Sequence, residues 1–368
     1  MRHSPLRVWL VCVFLIPTIG LRNSAFAHDS IPLPNWPAMG VPIISYTPET
    51  SWEFGAAAQG YFRLPNAMRT SIVQLDGAWS LKQQWYVNAQ GTVYFCSGPS
   101  QIHWLLLFRG GYRNYPDTYY GVGNNPTLAG TYARSGTNYN SRRGYAFIQP
   151  LICLNSDWAF GPHLDYLYEQ SDINLNGQSA VSVAGIGLTA QYDTRDVTYY
   201  PARGIFFKYS FTHYFRNFFR SAIDLRQFIP LPHNLIIAWQ FRSDWAMDYY
   251  DGMASVPYRL LPTIGGQDLL RGIPRNMFCD NLSLALQAEF RFPIVWLLRG
   301  VVFAGVGDVY NTSAWQWTVP KAGYGLGLRL TLNRAKVNIR FDVARNTIYP
   351  SWSDSRGYAF YLTATESF

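Results

Sequence analysis

The sequence predicts an all-β fold, a transmembrane antiparallel β-barrel of sixteen strands, and three observations predict it. Charged residues make up only 14% of a chain that is 48% hydrophobic and 17% aromatic, with 30 Gly and 22 Pro. That composition lacks the Lys/Glu/Ala/Leu stock of a helical bundle and is too apolar for disorder. Long stretches alternate large apolar residues with small or charged ones, the period of a strand with two different faces. The chain also begins with an export signal. Its 368 residues force no domain boundary, because a barrel readily runs past 200 residues as one domain.

The signal occupies residues 1–27. Arg2 and Arg7 precede the apolar stretch Val8 to Ile19, and Ala25-Phe26-Ala27 supplies small residues where a signal peptidase cuts. Pro17 interrupts the stretch, which falls short of the roughly 20 residues of a membrane-spanning helix. Cleavage after Ala27 removes Arg2, Arg7 and Arg22 and lowers the formal charge from +8 to +5. The remaining arginines are spread singly, without the clustered patch of a nucleic-acid binder. Residues 28–40 form a short N-terminal segment, and 41–368 form the barrel.

Within the barrel, strands are expected at 41–47, 51–63, 70–81, 84–96, 101–114, 143–155, 157–169, 180–192, 204–214, 219–228, 234–244, 282–293, 300–310, 322–333, 336–345 and 357–367. A further short segment, 257–263, belongs to a loop. Tight turns at Pro65-Asn66 and Asn333-Arg334 contrast with long connections at 115–142 and 245–281, the pattern of short periplasmic turns and long external loops.

The last third carries the clearest alternation. Leu282, Leu284, Leu286, Phe290 and Phe292 share one face, against Ser283, Gln287, Glu289 and Arg291 on the other. Tyr324, Leu326, Leu328 and Leu330 oppose Gly323, Gly325, Gly327 and Arg329, and Ile339, Phe341 and Val343 oppose Arg340 and Asp342. A soluble β-sandwich would alternate too, but its polar face would carry more charge. An apolar outer band, aromatic girdles and a polar lumen account for both the alternation and the aromatic excess. With export and a terminal Phe368, the barrel is expected in an outer membrane, bound to its lipid as a monomer, where closure leaves no unpaired edge.

Chemistry is nearly absent from the sequence. There is no nucleophile elbow, zinc-protease pair, phosphate loop or calcium loop, and His28, His103, His163, His213 and His233 stand singly, without ligand spacing. No catalytic residue, metal site or cofactor is expected, and the chain is not expected to be an enzyme. Cys96, Cys153 and Cys279 remain after signal cleavage; they permit one disulfide and leave one thiol over. Arg291, Arg329 and Arg340 on lumen faces fit either a charged constriction or solvated wall residues. Three glycines in a row, Gly323, Gly325 and Gly327, leave room for a loop packed inside.

Several motifs resemble the BamA/TamA-type surface-antigen barrels. Tyr192-Asp193-Thr194-Arg195-Asp196 followed by Tyr200-Pro201-Ala202-Arg203-Gly204 looks like that family's strand-turn-strand signature, carried by Asp193, Arg195, Asp196, Pro201 and Gly204. Gly265-Gly266 and Leu270-Arg271-Gly272-Ile273 resemble the tip of its sixth external loop, Glu289 to Pro293 the strand after it, and Gly323 to Arg329 a later strand. Ser45 to Thr50 and Tyr119 to Asn124 look like pieces of members without soluble domains. The resemblance covers roughly 41–368.

It implies an inward-folded external loop locked by Arg271. In related transporters the loop arginine meets an acid in a Phe-x-Asp-x-Gly strand, whereas Phe303-Ala304-Gly305-Val306-Gly307 has glycine in the acid's place. The remaining candidates are Glu289 and Asp342. Asp342 is slightly preferred, because Arg291 shares the face of Glu289, although Arg340 stands in the same relation to Asp342. The family's insertases and secretion pores normally carry periplasmic POTRA domains, and the 13 residues between Ala27 and Val41 hold none. The resemblance therefore implies assistance to protein insertion or translocation, with a separate periplasmic or POTRA-bearing subunit and a weak seam between strands 41–47 and 357–367. A partly plugged pore or structural surface protein is the alternative. A barrel lipase has no motif support.

Overall fold

A computed structural model describes residues 38–47, 51–97, 102–124, 136–197, 200–249, 256–295, 297–315, 318, 320–331, 338–349 and 351–363. The signal peptide, the turn at Asn333-Arg334 and Phe368 lie outside them. Sixteen strands form one antiparallel sheet in chain order. The first eight are β1 (Ala38–Thr47), β2 (Ser51–Phe62), β3 (Ser71–Ser80), β4 (Trp85–Ser97), β5 (Ile102–Tyr119), β6 (Thr137–Cys153), β7 (Trp158–Leu175) and β8 (Gln178–Asp193). Then come β9 (Gly204–Tyr214), β10 (Phe218–Leu231) and β11 (Leu235–Asp248). A long loop follows, containing the two-residue strands β12 (Thr263–Ile264) and β13 (Phe278–Cys279), which pair with each other, Cys279 also bridging to Gly123. The wall resumes with β14 (Leu282–Val295), β15 (Leu298–Tyr310), β16 (Lys321–Thr331), β17 (Asn338–Asn346) and β18 (Tyr358–Thr363).

The loop makes the curl of the sheet visible. Its Arg259 contacts Glu169 on β7, and its Arg271 contacts Asp342 on β17. Distant parts of the sheet thus face each other around one plug. Tyr258, Leu260 and Leu261 pack against Leu167, Val183 and Tyr214, while Ile264, Leu270 and Ile273 pack against Ala285, Val309 and Ile348. The core of this barrel is its own loop.

Face assignment follows the alternation. On β16, Tyr324, Leu326, Leu328 and Leu330 point out and are exposed, while Arg329 is sealed from solvent. On β14, Leu286 and Phe290 point out, whereas Ser283, Gln287, Glu289 and Arg291 point in and are buried. Exposed tryptophans mark both rims: Trp52, Trp79 and Trp245 near the loop end of their strands, and Trp158 at the turn end. Such girdles suit the interfacial zones of a bilayer.

The long strands differ from expectation. β5 runs to Tyr119 and β6 starts at Thr137, so much of the predicted loop 115–142 is ladder. Pro116 fits this ladder because β4 reaches only as far as Asn114 along β5, while β6 pairs on to Tyr119. Beyond Asn114, β5 is an edge, where a missing N–H is tolerated. Residues 257–263 do belong to a loop, as expected, with a 3-10 turn at Tyr258–Leu260.

Leu326 sits in the middle of β16 and is 64% exposed, and Leu154 in a turn is 66% exposed. Equal exposure with different depth separates lipid contact from rim contact. Leu326→Arg should cost about 2 to 4 kcal/mol and Leu154→Arg roughly 0 to 1. The measurement is the fraction that migrates as compact barrel in unheated SDS; equal losses would refute the outer-face assignment.

Candidate functional site

The loop tip is built to aim one side chain. Gly266 N donates to Ile273 O at 2.9 Å and Ile273 N to Leu270 O at 3.2 Å, closing a tight turn around Arg271. Gly272 has φ +102, and a Cβ there would lie 3.0 Å from the Arg345 carbonyl, so the position needs both the left-handed backbone and the missing side chain. Its N–H donates to the Tyr361 hydroxyl at 3.0 Å, and its carbonyl accepts from Asn346 Nδ2 at 2.7 Å. On the wall opposite, a Cβ on Gly323 would fall 2.1 Å from the Arg271 carbonyl. Of the three predicted glycines, Gly323 is where the loop backbone passes, whereas a Cβ on Gly325 or Gly327 would first meet wall atoms of Val343 and Phe303 or of Asp342 and Arg329.

Arg271 does not choose between the two acids. Nη1 donates to Asp342 Oδ2 at 2.7 Å and Nη2 to Glu289 Oε1 at 2.5 Å, and the guanidinium stands 3.6 Å over the Phe303 ring. The slight preference for Asp342 is thus corrected: both carboxylates hold the arginine at once. The two readings offered for Arg291, Arg329 and Arg340 are corrected as well. They are 1%, 0% and 0% exposed, neither a constriction nor solvated wall. Arg329 Nη1 donates to Asp342 at 2.5 Å, Arg291 Nη2 contacts Glu289 at 2.7 Å, and Arg340 Nε lies 3.6 Å from Asp342. Four sealed guanidiniums thus share two sealed carboxylates, Glu289 and Asp342, while Asp268, 4.0 Å from Arg340, is largely exposed.

Arg291 joins this lock to the signature turn. Its Nη1 donates to Pro201 O at 3.3 Å, and its guanidinium lies 4.7 Å from the Tyr200 ring. The turn itself is organised by its acids. Asp193 accepts from Arg195 Nε and Nη2, each at 2.8 Å, and from Arg69 Nη1 at 3.4 Å. Asp196 Oδ1 accepts from the backbone of Val197 and Ala202, each at 3.0 Å, and Gly204 returns the chain to β9 with φ +109. All five signature residues therefore shape one turn, and the turn reaches the loop through Arg271, Glu289 and Arg291.

Other contributors escaped the sequence reading. Phe303 carried a signal, since it opens the motif whose acid is missing; Tyr361 and Asn346 had only a lumen-facing place. A second anchor is Arg259, which donates to Asp117 Oδ2 at 2.5 Å, to Glu169 Oε1 at 3.1 Å and to the Tyr139 hydroxyl. Burial alone would lower its pKa, but Asp117, Tyr139 and Glu169 outweigh burial and raise it above the ordinary arginine range. A third is Asp308, paired with Lys321 at 2.6 Å and with Asn124 Nδ2 at 2.7 Å, which ties the β5–β6 connection to the wall. Among the described residues no disulfide joins Cys96, Cys153 or Cys279. Cys96 and Cys153 both pair with His103 across β5, and two strand spacings of about 4.8 Å exceed disulfide reach.

Residues 112–368 match the Omp85 superfamily domain. No curated protein matches the chain by sequence. Among solved structures, BamA from Haemophilus ducreyi lacking POTRA domains 1-3 is similar, with 14% identity, TM-score 0.57, and 88% of this chain and 68% of that chain covered. CdiB from Escherichia coli gives 14% identity and TM-score 0.58, covering 90% of this chain and 63% of that one. CdiB from Acinetobacter baumannii gives 12% and 0.55, covering 88% and 58%. This chain thus spans less than two thirds of either CdiB chain.

The charge imbalance makes the lock asymmetric. Removing Arg271 leaves Asp342 paired with Arg329 at 2.5 Å, whereas neutralising the carboxylate takes a charged partner from three buried guanidiniums at once, Arg271, Arg329 and Arg340. Asp342→Asn should therefore cost about 3 to 5 kcal/mol of barrel stability and lower the temperature at which the compact SDS band is lost. Arg271→Met should cost less while making the 256–281 loop open to protease. If Arg271→Met leaves the loop protected, the inward lock is not what holds it.

Proposed function

This chain belongs to the Omp85 superfamily, and we propose that it assists insertion or translocation of outer-membrane proteins, as an exported, monomeric outer-membrane barrel working with a separate periplasmic or POTRA-bearing subunit and without catalytic chemistry. One observation supports this reading above the rest. β1 and β18 are the two ends of the sheet order, and among the described residues no ladder joins them. Among the described residues β18 pairs with β17 from Arg340–Thr363 to Arg345–Tyr358. An unpaired strand edge in hydrocarbon leaves N–H and C=O groups that water cannot satisfy, and an incoming strand supplies the missing partners.

The lock would serve this reading by keeping the rest of the wall rigid. Arg271 draws β14 and β17 toward the loop through Glu289 and Asp342, so an opening at the β1–β18 end need not unfold the plug. A partly plugged pore is the second reading, supported by a lumen cavity of about 910 Å³ lined by Glu53, Arg113 and Arg275.

The test uses the purified full chain in liposomes with a urea-denatured outer-membrane barrel protein as client. A photo-crosslinker at Phe360, 69% exposed on β18, should capture the client severalfold better than one at Leu188, 66% exposed on β8. Equal capture at both positions, with steady single-channel conductance and no gain in client folding, would reject insertion in favour of the pore.

A further inference from the structure

The wall from β5 to β11 encloses a polar pocket of about 200 Å³ that adjoins the large lumen cavity, sharing Arg109, Asp165 and Arg220 with it. Its charged groups fall into two sets. The carboxylates already have donors: Asp244 meets Arg220 at 3.3 Å and Arg242 at 3.2 Å, Asp224 meets Arg226 at 2.5 Å, and Asp165 accepts the Tyr214 hydroxyl at 2.5 Å. Arg109 and Lys208 form the other set. Among the described residues neither has an ion-pair partner.

These two cations converge on one ring. Arg109 Cζ lies 4.8 Å and Lys208 Nζ 5.9 Å from the centroid of Phe147. The Lys208 ammonium donates to Gln149 Oε1 at 3.1 Å, and Gln149 in turn donates to Thr189 Oγ1 at 2.5 Å. His163 bridges Thr189 and Thr212 at 3.0 and 2.8 Å. Gln149 and His163 are 0% and 2% exposed, so the floor of the pocket is a fixed polar network. A ring face attracts one cation, but two like charges sharing it repel, and a low-dielectric wall screens that repulsion poorly.

We propose that this pocket binds a small oxyanion, inorganic phosphate or the phosphate of a monoester, with the Arg109 fork and the Lys208 ammonium donating to its oxygens. Arg109 and Lys208 face one carboxylate, Asp165, whose donor is the neutral Tyr214 hydroxyl, so the pocket keeps a cationic excess, and a guanidinium fork matches the spacing of phosphate oxygens. The volume exceeds what a lone halide would fill. Asp165, on the side of Tyr214, would exclude a ligand whose charge extended that way, which favours a compact group. The large cavity supplies the route in. The inference stands whether the barrel inserts proteins or conducts solutes.

The experiment is calorimetric titration of the full-length protein in detergent with inorganic phosphate and with glycerol phosphate, at constant ionic strength. Saturable binding of phosphate at one site is expected, with sulfate competing and chloride not. Arg109→Gln and Lys208→Gln should each weaken it by roughly tenfold or more, the loss of one charge-assisted hydrogen bond, while the compact SDS band and the binding by Lys82→Gln stay unchanged. Glycerol phosphate binding as well as phosphate would identify a group carried on a larger molecule, and binding of phosphate alone would identify the free ion. Should Arg109→Gln fail to assemble, Arg109→Lys, which keeps the charge but loses the fork, takes its place beside Lys208→Gln. Absence of saturable binding in the wild type, or equal binding by the variants, overturns the proposal.

Discussion

A guanidinium shut away from water must be met by carboxylates or carbonyls, and the placement of Arg271 imposes that demand on four neighbouring strands. Glu289 comes from β14, the Phe303 ring from β15, the passage along Gly323 from β16 and Asp342 from β17. Arg291, Arg329 and Arg340 then crowd the same two acids. Because cations outnumber anions, each carboxylate is held by several donors and neither can be spared. The loop is therefore fixed less by its own backbone than by the wall's need for it to stay, since Asp342 and Glu289 hold Arg271 and the wall arginines in one network.

That network has two ends. Toward the external side it holds the turn of Leu270 to Ile273, and toward the other it reaches Tyr200 and Pro201 through Arg291. Asp193 and Asp196 organise the turn that presents them. A loop and a turn from opposite rims of the barrel are thereby joined through Glu289, whose two oxygens face Arg271 and Arg291. The opposite part of the sheet is held differently. Arg259 reaches Asp117 and Glu169 at the ends of long strands, and β1 and β18 have neighbours on one side only among the described residues. The contacts of the lock are concentrated in β14–β17, next to β18.

Much of the fold was legible because a bilayer forces a binary code on each strand. Leu326 and Arg329 on β16, or Phe290 and Glu289 on β14, could exchange faces only by reversing every neighbour. Tyr115 to Tyr119 were not legible as strand, because beyond the membrane that code lapses and Pro116 reads as a turn. Within the lock, Arg271, Glu289 and Asp342 were readable as lumen charges, but parity says nothing about height along the barrel. Glu289 pairs with Phe303 and Asp342 with Gly327, and only the stagger of the strands brings both to the loop tip. The link from Arg291 to Pro201 had no sequence signal at all, since it joins residues 90 positions apart across strands that are not neighbours.

The missing acid of β15 shows how such a lock can move. A Cβ on Gly305 would meet Leu270 Cδ2 at 2.8 Å, and one on Gly307 would meet Leu270 Cδ1 at 2.5 Å. Leu270 therefore occupies the space in which an aspartate of that strand would stand, and a carboxylate there would be buried against a methyl group. With β15 given over to apolar packing and to the Phe303 face beneath the guanidinium, the negative charge has to come from the strands on either side. Glu289 and Asp342 supply it from β14 and β17, so the arginine spans the wall instead of docking on one strand. A contact made on one strand would tolerate sliding between neighbours. This one does not, because any shear between β14 and β17 lengthens one of its two charged hydrogen bonds, so conformational freedom in the wall is pushed away from these strands and toward the ends of the sheet.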